Sequence, residues 1–326
     1  MANEYIHDIG QDFKHLPEIY QIEACSACNL KCPMCLRTTD VVRPDQLLKL
    51  DLLEKMHSRG DFKGSYYVEL QMSGEPTLHP QLGELIAYLK NNVGVMVGLS
   101  THGLQIRKKP QLAHILLSLD ALTISVDSTN PELYHKMRFP GKLEHLWESL
   151  DYLFKVIPER LGHYETIPFI ELQLVKTDMF EGSGDVAALQ NIMDEKGWSK
   201  YAVVRTTGDC FSEMQGRKHP GERRRNTSLC INPWTSVSVA ANGDVVSCCF
   251  IFEPRQDTVN WYGNLYQTSL AEIWSSDRVE QMRLLHARHA AIDQGLKDQC
   301  TKCYLKSPTL IHQNIVSRLV QLRSKV

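Results

Sequence analysis

The sequence of 326 residues predicts an α/β protein built on a parallel sheet, followed by a smaller cysteine-rich module. Three observations carry that prediction. Six short β-rich runs alternate with helical patterns from residue 19 to about 207. A polar, basic stretch then interrupts the alternation after Cys210, and most of the remaining cysteines lie beyond it.

The six runs are IYQIEAC (19–25), YYVELQMS (66–73), VMVGLST (95–101), ALTISVD (121–127), PFIELQLV (168–175) and YAVVRTT (201–207). Most are near-continuous in Val, Ile and Leu, as expected of strands covered on both faces. Between them, QLLKLDLLEKMHSR, QLGELIAYLKNN and LEHLWESLDYLFKVI repeat apolar residues every three or four positions, the period of an amphipathic helix that shields a sheet. The stretch SEMQGRKHPGERRRNTS, with Gly216, Pro220 and Gly221, reads as a linker. After it, INPWTSVSVAANGDVVS reads as a β-hairpin turning at Asn242 and Gly243. LIHQNIVSRLVQLRSKV (310–326) reads as an amphipathic closing helix.

Composition narrows the function. The chain is 43% hydrophobic and 23% charged, enough for a large core. A net charge of -2 gives no general attraction to nucleic acid or to a membrane surface. The N-terminus lacks the apolar core of a signal peptide, and no apolar run is long enough to span a bilayer, so the expected location is the cytoplasm. In a reducing compartment, clustered cysteines are metal ligands or redox thiols more often than disulfides.

Ten cysteines fall mainly into two groups. In the first, Cys28, Cys32 and Cys35 are separated by three and then two residues, so one loop brings three sulfurs to a centre. Soft thiolates suit iron–sulfur clusters or zinc. Three thiolates on a four-iron cube leave one iron open, the arrangement a metal needs in order to activate something else. In the second group, Cys230, Cys248, Cys300 and Cys303 make a four-thiolate set that by chemistry alone fits zinc as well as an iron–sulfur cluster.

CNLKCPMC at 28–35 resembles the signature of radical S-adenosylmethionine (radical SAM) enzymes, and other segments extend the resemblance. MSGEPTLHP (72–80) is similar to the family's Gly-Gly-Glu-Pro segment, with Ser73 in place of the first glycine. STHG (100–103) stands where relatives often carry Thr-Asn-Gly, so His102 is a departure. ISVDS (124–128) resembles the Ser-x-Asp segment, and Arg138 sits where relatives place an arginine for the SAM carboxylate. CINPWTSVSVAANGDVVSCC, followed by GNLYQTSLAEIWSSDRVEQMR, resembles the SPASM extension of these enzymes, of the SPASM/twitch type with a single auxiliary cluster.

The resemblance implies a partial (β/α)6 TIM-like barrel over 19–212, after an N-terminal extension at 1–18. A linker at 213–229, a SPASM-like auxiliary domain at 230–305 and a closing helix at 306–326 would complete the chain. It implies two [4Fe-4S] clusters and S-adenosyl-L-methionine as cofactors. Cys28, Cys32 and Cys35 would hold the SAM cluster, and Cys230, Cys248, Cys300 and Cys303 the auxiliary one. Gly74 would let backbone approach the ligand and Glu75 would meet the SAM ammonium, with Ser73 beside them. Ser125 and Arg138 would lie by SAM, and Met34 would pack by the adenine in place of the usual aromatic residue.

The implied reaction begins with a one-electron reductant such as flavodoxin or ferredoxin. The reduced cluster would then cleave SAM to methionine and a 5'-deoxyadenosyl radical that takes hydrogen from a substrate C–H bond. Oxidation is expected over epimerisation because of the auxiliary cluster, although Cys249 and Cys210 are candidate hydrogen donors for an epimerase. Twenty-four residues precede Cys25, too few for the winged-helix module that many peptide-modifying relatives carry. The expected substrate is therefore a small polyol, sugar or nucleoside-like metabolite, with a ribosomally made peptide as the alternative. RKHPGERRR (217–225) offers arginines that would clamp a phosphate, or else a solvated linker. A non-catalytic iron–sulfur or zinc protein would explain the cysteines but not the polar segments at strand ends.

Overall fold

A computed structural model describes residues 15–39, 44–163, 165–177, 179–208, 230, 232–249, 251 and 256–292. Cys210, Cys300, Cys303, the stretch 217–225 and the segment 310–326 lie outside the described residues.

Six parallel strands form where the β-rich runs place them: β1 (Ile19–Ile22), β2 (Tyr67–Glu69), β3 (Met96–Thr101), β4 (Ala121–Ser125), β5 (Phe169–Lys176) and β6 (Ala202–Gly208). Helices α1 (Leu50–Ser58), α2 (Leu82–Tyr88), α3 (Gln111–Leu117), α4 (Pro131–Met137), α5 (Leu143–Gly162) and α6 (Val186–Glu195) lie in the connections. This is the βα alternation of a partial TIM-like barrel. Local chemistry sets several boundaries. Asn130 caps α4 by accepting from the Leu133 N–H at 3.0 Å, with Pro131 in the first turn. Asp185 caps α6 through the Ala188 N–H at 3.0 Å. In α5, Leu143, Leu146, Leu150, Leu153, Phe154 and Ile157 are buried, the stripe that its three-and-four spacing predicts.

The strands differ from the expectation of two apolar faces. Tyr20, Ile22, Val68, Leu70, Val97, Leu99, Leu122, Ile124, Ile170 and Leu172 alternate onto one face, where they join the helices in a single core. The opposite, inner face carries Gln21, Glu69, Ser100, Thr123, Glu171 and Arg205, above a small apolar base of Ile19, Tyr67 and Ala121. Period-two alternation therefore separates a fully apolar face from a polar one.

The cysteine-rich module continues the same sheet. Strand β7 (Ser236–Val239) pairs in parallel with β1, and β8 (Asp244–Val246) and β9 (Trp261–Asn264) follow antiparallel. The strand order is β6-β5-β4-β3-β2-β1-β7-β8-β9. The β7–β8 hairpin turns at Asn242 and Gly243, where Gly243 has φ +85° and its N–H donates to Ala240 O at 2.8 Å. Helix α7 (Leu270–Trp274) opens with a capping box between Ser269 and Glu272, and α8 (Asp277–Ile292) follows. Buried Asp61, on the loop after α1, accepts from the Leu270 N–H at 2.9 Å and from Arg59 at 3.0 Å, fastening this module to the barrel.

Candidate SAM and iron–sulfur site

The cluster loop leaves β1 at its carboxyl end, where parallel barrels gather functional side chains. Cys32 is buried, while Cys28 and Cys35 are half-buried and pack against the same core. Backbone N–H groups turn towards the sulfurs, with Leu30 N donating to Cys28 Sγ at 3.5 Å. Those of Arg37 and Thr38, in the helical turn Leu36–Thr39, donate to Cys35. Burial pushes the Cys28 thiol up to about 12, and the neighbouring acidic Glu75, Cys32 and Cys35 push the same way. Burial likewise raises Cys35. Thiols raised by burial in this way, those of Cys28 and Cys35, become thiolates when a cation shares their site, which is the donor chemistry that an iron–sulfur cluster requires.

Arg138 is not a surface residue. Its Nε donates to buried Asp127 and its Nη1 lies 3.7 Å from Cys32 Sγ. Asp127 follows β4 with φ 63°, and its other oxygen accepts from the Val175 N–H at 3.0 Å. The cation is thereby fixed beside a thiol. Asp127 sits inside the ISVDS segment but its partnership with Arg138 carries no sequence signal beyond the residue type.

Gly74 packs against the cluster loop. A Cβ there would lie 2.0 Å from Cys25 O and 2.6 Å from Ala27 O, and the next N–H, of Glu75, donates to Ala27 O at 2.7 Å. The glycine thus admits the loop's own backbone. Glu75 is buried, and its carboxylate accepts hydrogen bonds from within the protein. Oε1 accepts from the Thr77 N–H at 3.0 Å and from the Thr77 and Thr101 hydroxyls, and Oε2 accepts from the His102 N–H at 3.0 Å. Burial raises its pKa, but nearby His102 and these donors outweigh burial and hold the carboxyl below its usual range.

His102 joins the same network. Its Nδ1 accepts from the Leu104 N–H at 3.1 Å, which leaves Nε2–H to donate to Asn29 Oδ1 at 3.0 Å. Burial lowers its pKa against the pull of Glu75, and the ring ties the end of β3 to the residue after Cys28. Ser73 is buried, with its N–H and hydroxyl both directed at Glu23, and Met34 is buried in the core beside Cys32. Ser125 ends β4 opposite Gln173. Cys25 is buried, forms an isolated bridge with Leu47 and directs its Sγ to Ala27 O at 3.7 Å, as a structural thiol does. Cys230, Cys248 and Cys249 are half-buried, Cys230 entering and the other two leaving the β7–β8 hairpin.

A partial barrel with a three-cysteine loop on its first strand and a cysteine-rich extension defines a class of iron–sulfur enzyme. Comparison with known proteins gives its family. The radical SAM superfamily profile matches residues 22–170 and the SPASM iron-sulfur cluster-binding domain matches 230–304, together well over half of the chain. The chain belongs to the radical SAM superfamily, in the subgroup that carries a SPASM/twitch domain, and its cofactors are SAM and two [4Fe-4S] clusters.

Among curated proteins, it is 27% identical to a GTP 3',8-cyclase of Chlorobaculum tepidum over 143 residues, 43% of this chain and 42% of the cyclase. A probable GTP 3',8-cyclase of Methanococcus maripaludis is 26% identical over 42% of this chain and 46% of its own length. The chain thus spans less than half the length of these relatives. Among solved structures, BtrN in complex with AdoMet and 2-DOIA superposes with a TM-score of 0.53 at 16% identity, over 89% of this chain and 94% of that one. Streptococcus suis SuiB bound to S-adenosylmethionine gives 0.58 at 15%, over 93% and 75%. At such identities the likeness is one of fold. Among the described residues, no helix is long and apolar enough to cross a membrane.

Proposed function

We propose that this enzyme oxidises a small, hydroxyl-rich metabolite of polyol, sugar or nucleoside type. When bound and reduced, the cluster and SAM supply a 5'-deoxyadenosyl radical that takes hydrogen from a C–H bond. The chain's own residues do the rest. Cys28, Cys32 and Cys35 hold the cluster, and Arg138, held by Asp127 next to Cys32, meets the SAM carboxylate. The strand-end segment from Ser73 to Glu75 would meet the amino group, Ser125 would lie near SAM, and Met34 would fill apolar space by the adenine. Cys230 and Cys248, with Cys300 and Cys303, would hold the auxiliary cluster, which would supply an acceptor for the second electron as the substrate radical loses a proton to solvent. A carrier such as flavodoxin or ferredoxin delivers the first.

The observation that supports the substrate class is the polar inner face of the barrel. Glu69 accepts from the Ser100 hydroxyl at 3.2 Å, and Glu171 accepts from the Thr123 hydroxyl and from Arg205 Nη1, both at 3.1 Å. Barrel interiors are ordinarily packed with branched apolar residues. Carboxylates and hydroxyls there suit a ligand recognised by hydrogen bonds. The test is deuterium transfer: candidate metabolites labelled at each carbon are incubated with reconstituted enzyme, and label in 5'-deoxyadenosine is measured. Transfer from a hydroxylated small molecule supports the proposal. Transfer only from a peptide, or formation of an epimer whose new C–H hydrogen comes from the thiol of Cys249 or Cys210, overturns it.

A further inference from the structure

Two segments that the reaction needs in register meet on one buried carboxylate. Glu23 is fully buried at the end of β1, two residues before the cluster loop begins. Its Oε1 accepts from the Ser73 N–H at 3.2 Å and from the Ser73 hydroxyl. Its Oε2 accepts from the Ala241 N–H at 3.1 Å, in the turn of the β7–β8 hairpin. The backbone repeats the link, since Glu23 N–H donates to Val239 O at 2.8 Å. A carboxylate this deep persists only where donors meet its charge. Here those donors come from 50 and 218 residues away, one from the strand end beside SAM and the other from the auxiliary module.

We propose that Glu23 is a positioning residue that locks the Ser73–Glu75 segment to the auxiliary module's hairpin, and so sets the seat for SAM. The serine at position 73 is part of the device. Its hydroxyl has Glu23 as acceptor, so the serine and the buried acid form one unit. Loss of the carboxylate lets the segment that carries Gly74 and Glu75 drift against the cluster loop it touches.

The test uses the full-length protein, reconstituted anaerobically, in SAM cleavage without substrate; it therefore stands or falls apart from the proposed substrate class. Glu23→Gln presents an N–H2 to a group that is itself a donor and breaks one end of the link. Its KM for SAM should rise about tenfold, the value of one hydrogen bond to a charged group, while kcat changes less than about twofold. Deuterium exchange over residues 239–246 should rise in the same variant. Ser73→Ala removes only the hydroxyl and should raise the KM about threefold with the hairpin unaffected. The double variant should be no worse than Glu23→Gln, because the hydroxyl then has no carboxylate to reach. Unchanged KM in both single variants at full iron content overturns the proposal, as do effects that multiply in the double variant. If Glu23→Gln fails to hold its clusters, Ser73→Ala alone decides by its KM.

Discussion

Gly74→Ala is the substitution whose outcome the geometry fixes most tightly. The added Cβ would sit 2.0 Å from Cys25 O, 2.6 Å from Ala27 O and 2.6 Å from the Ser26 carbonyl carbon. An ordinary C···O contact is about 3.3 Å or more, so something must retreat by about 1 Å. All three obstacles are backbone, and no side-chain rotation relieves them. The loop that must retreat begins at Cys25 and carries Cys28 three residues on. Overpacking of this kind costs about 1–3 kcal/mol, and the displacement falls on the thiols themselves. The expected result is a modest fall in melting temperature together with a large loss of iron and sulfide at the first cluster, and with it of SAM cleavage. Gly83→Ala is the control. Its Cβ would meet only the Ile115 side chain at 3.4 Å, inside a helix where alanine gains about 0.5–1 kcal/mol over glycine. If Gly74→Ala reconstitutes and cleaves SAM like Gly83→Ala, the packing account of this loop is wrong.

Other expectations follow from the same geometry. Asp127→Asn keeps a residue that tolerates the left-handed backbone at φ 63° but strips Arg138 of its charge partner; denaturant unfolding should show a loss of about 3 kcal/mol, and SAM affinity should fall. Burial holds the folded His102 pKa below its ordinary value, so an unfolded histidine takes up a proton below about pH 6.5 more readily than the folded one. Its contribution is therefore constant above that pH and declines as pH falls below it, by up to about 1.4 kcal/mol per unit. Melting curves of His102→Gln should decline less between pH 7 and pH 5.5 than those of the native protein, and equal slopes would refute a lowered His102 pKa. Cys32→Ala should abolish SAM cleavage. Cys230→Ala should keep uncoupled cleavage while iron drops from about eight to about four per chain, and retention of all the iron would exclude Cys230 as a ligand.

Local sequence determined what local physics controls. The period of apolar residues fixed the six strands and the long helices, and the Cys28–Cys32–Cys35 spacing fixed a three-thiol loop, because both depend on neighbours a few residues apart. Asn242-Gly243 likewise predicted its own turn. The same reading named Glu75 and Gly74 as site residues but not the protein groups they touch. Their partners lie at Thr101, His102 and the Cys25–Ala27 backbone, and no residue type announces such contacts.

Tertiary structure alone decided the polar inner face, the Asp127–Arg138 pair beside Cys32, and the His102 bond to Asn29 across 73 residues. It also decided that the cysteine-rich module extends the barrel's sheet from β1 instead of standing apart, with Glu23 at the joint. The physical reason is common to all of these. A buried charge or donor is retained wherever folding brings it a partner, and the sequence distance to that partner is set by the path of the whole chain.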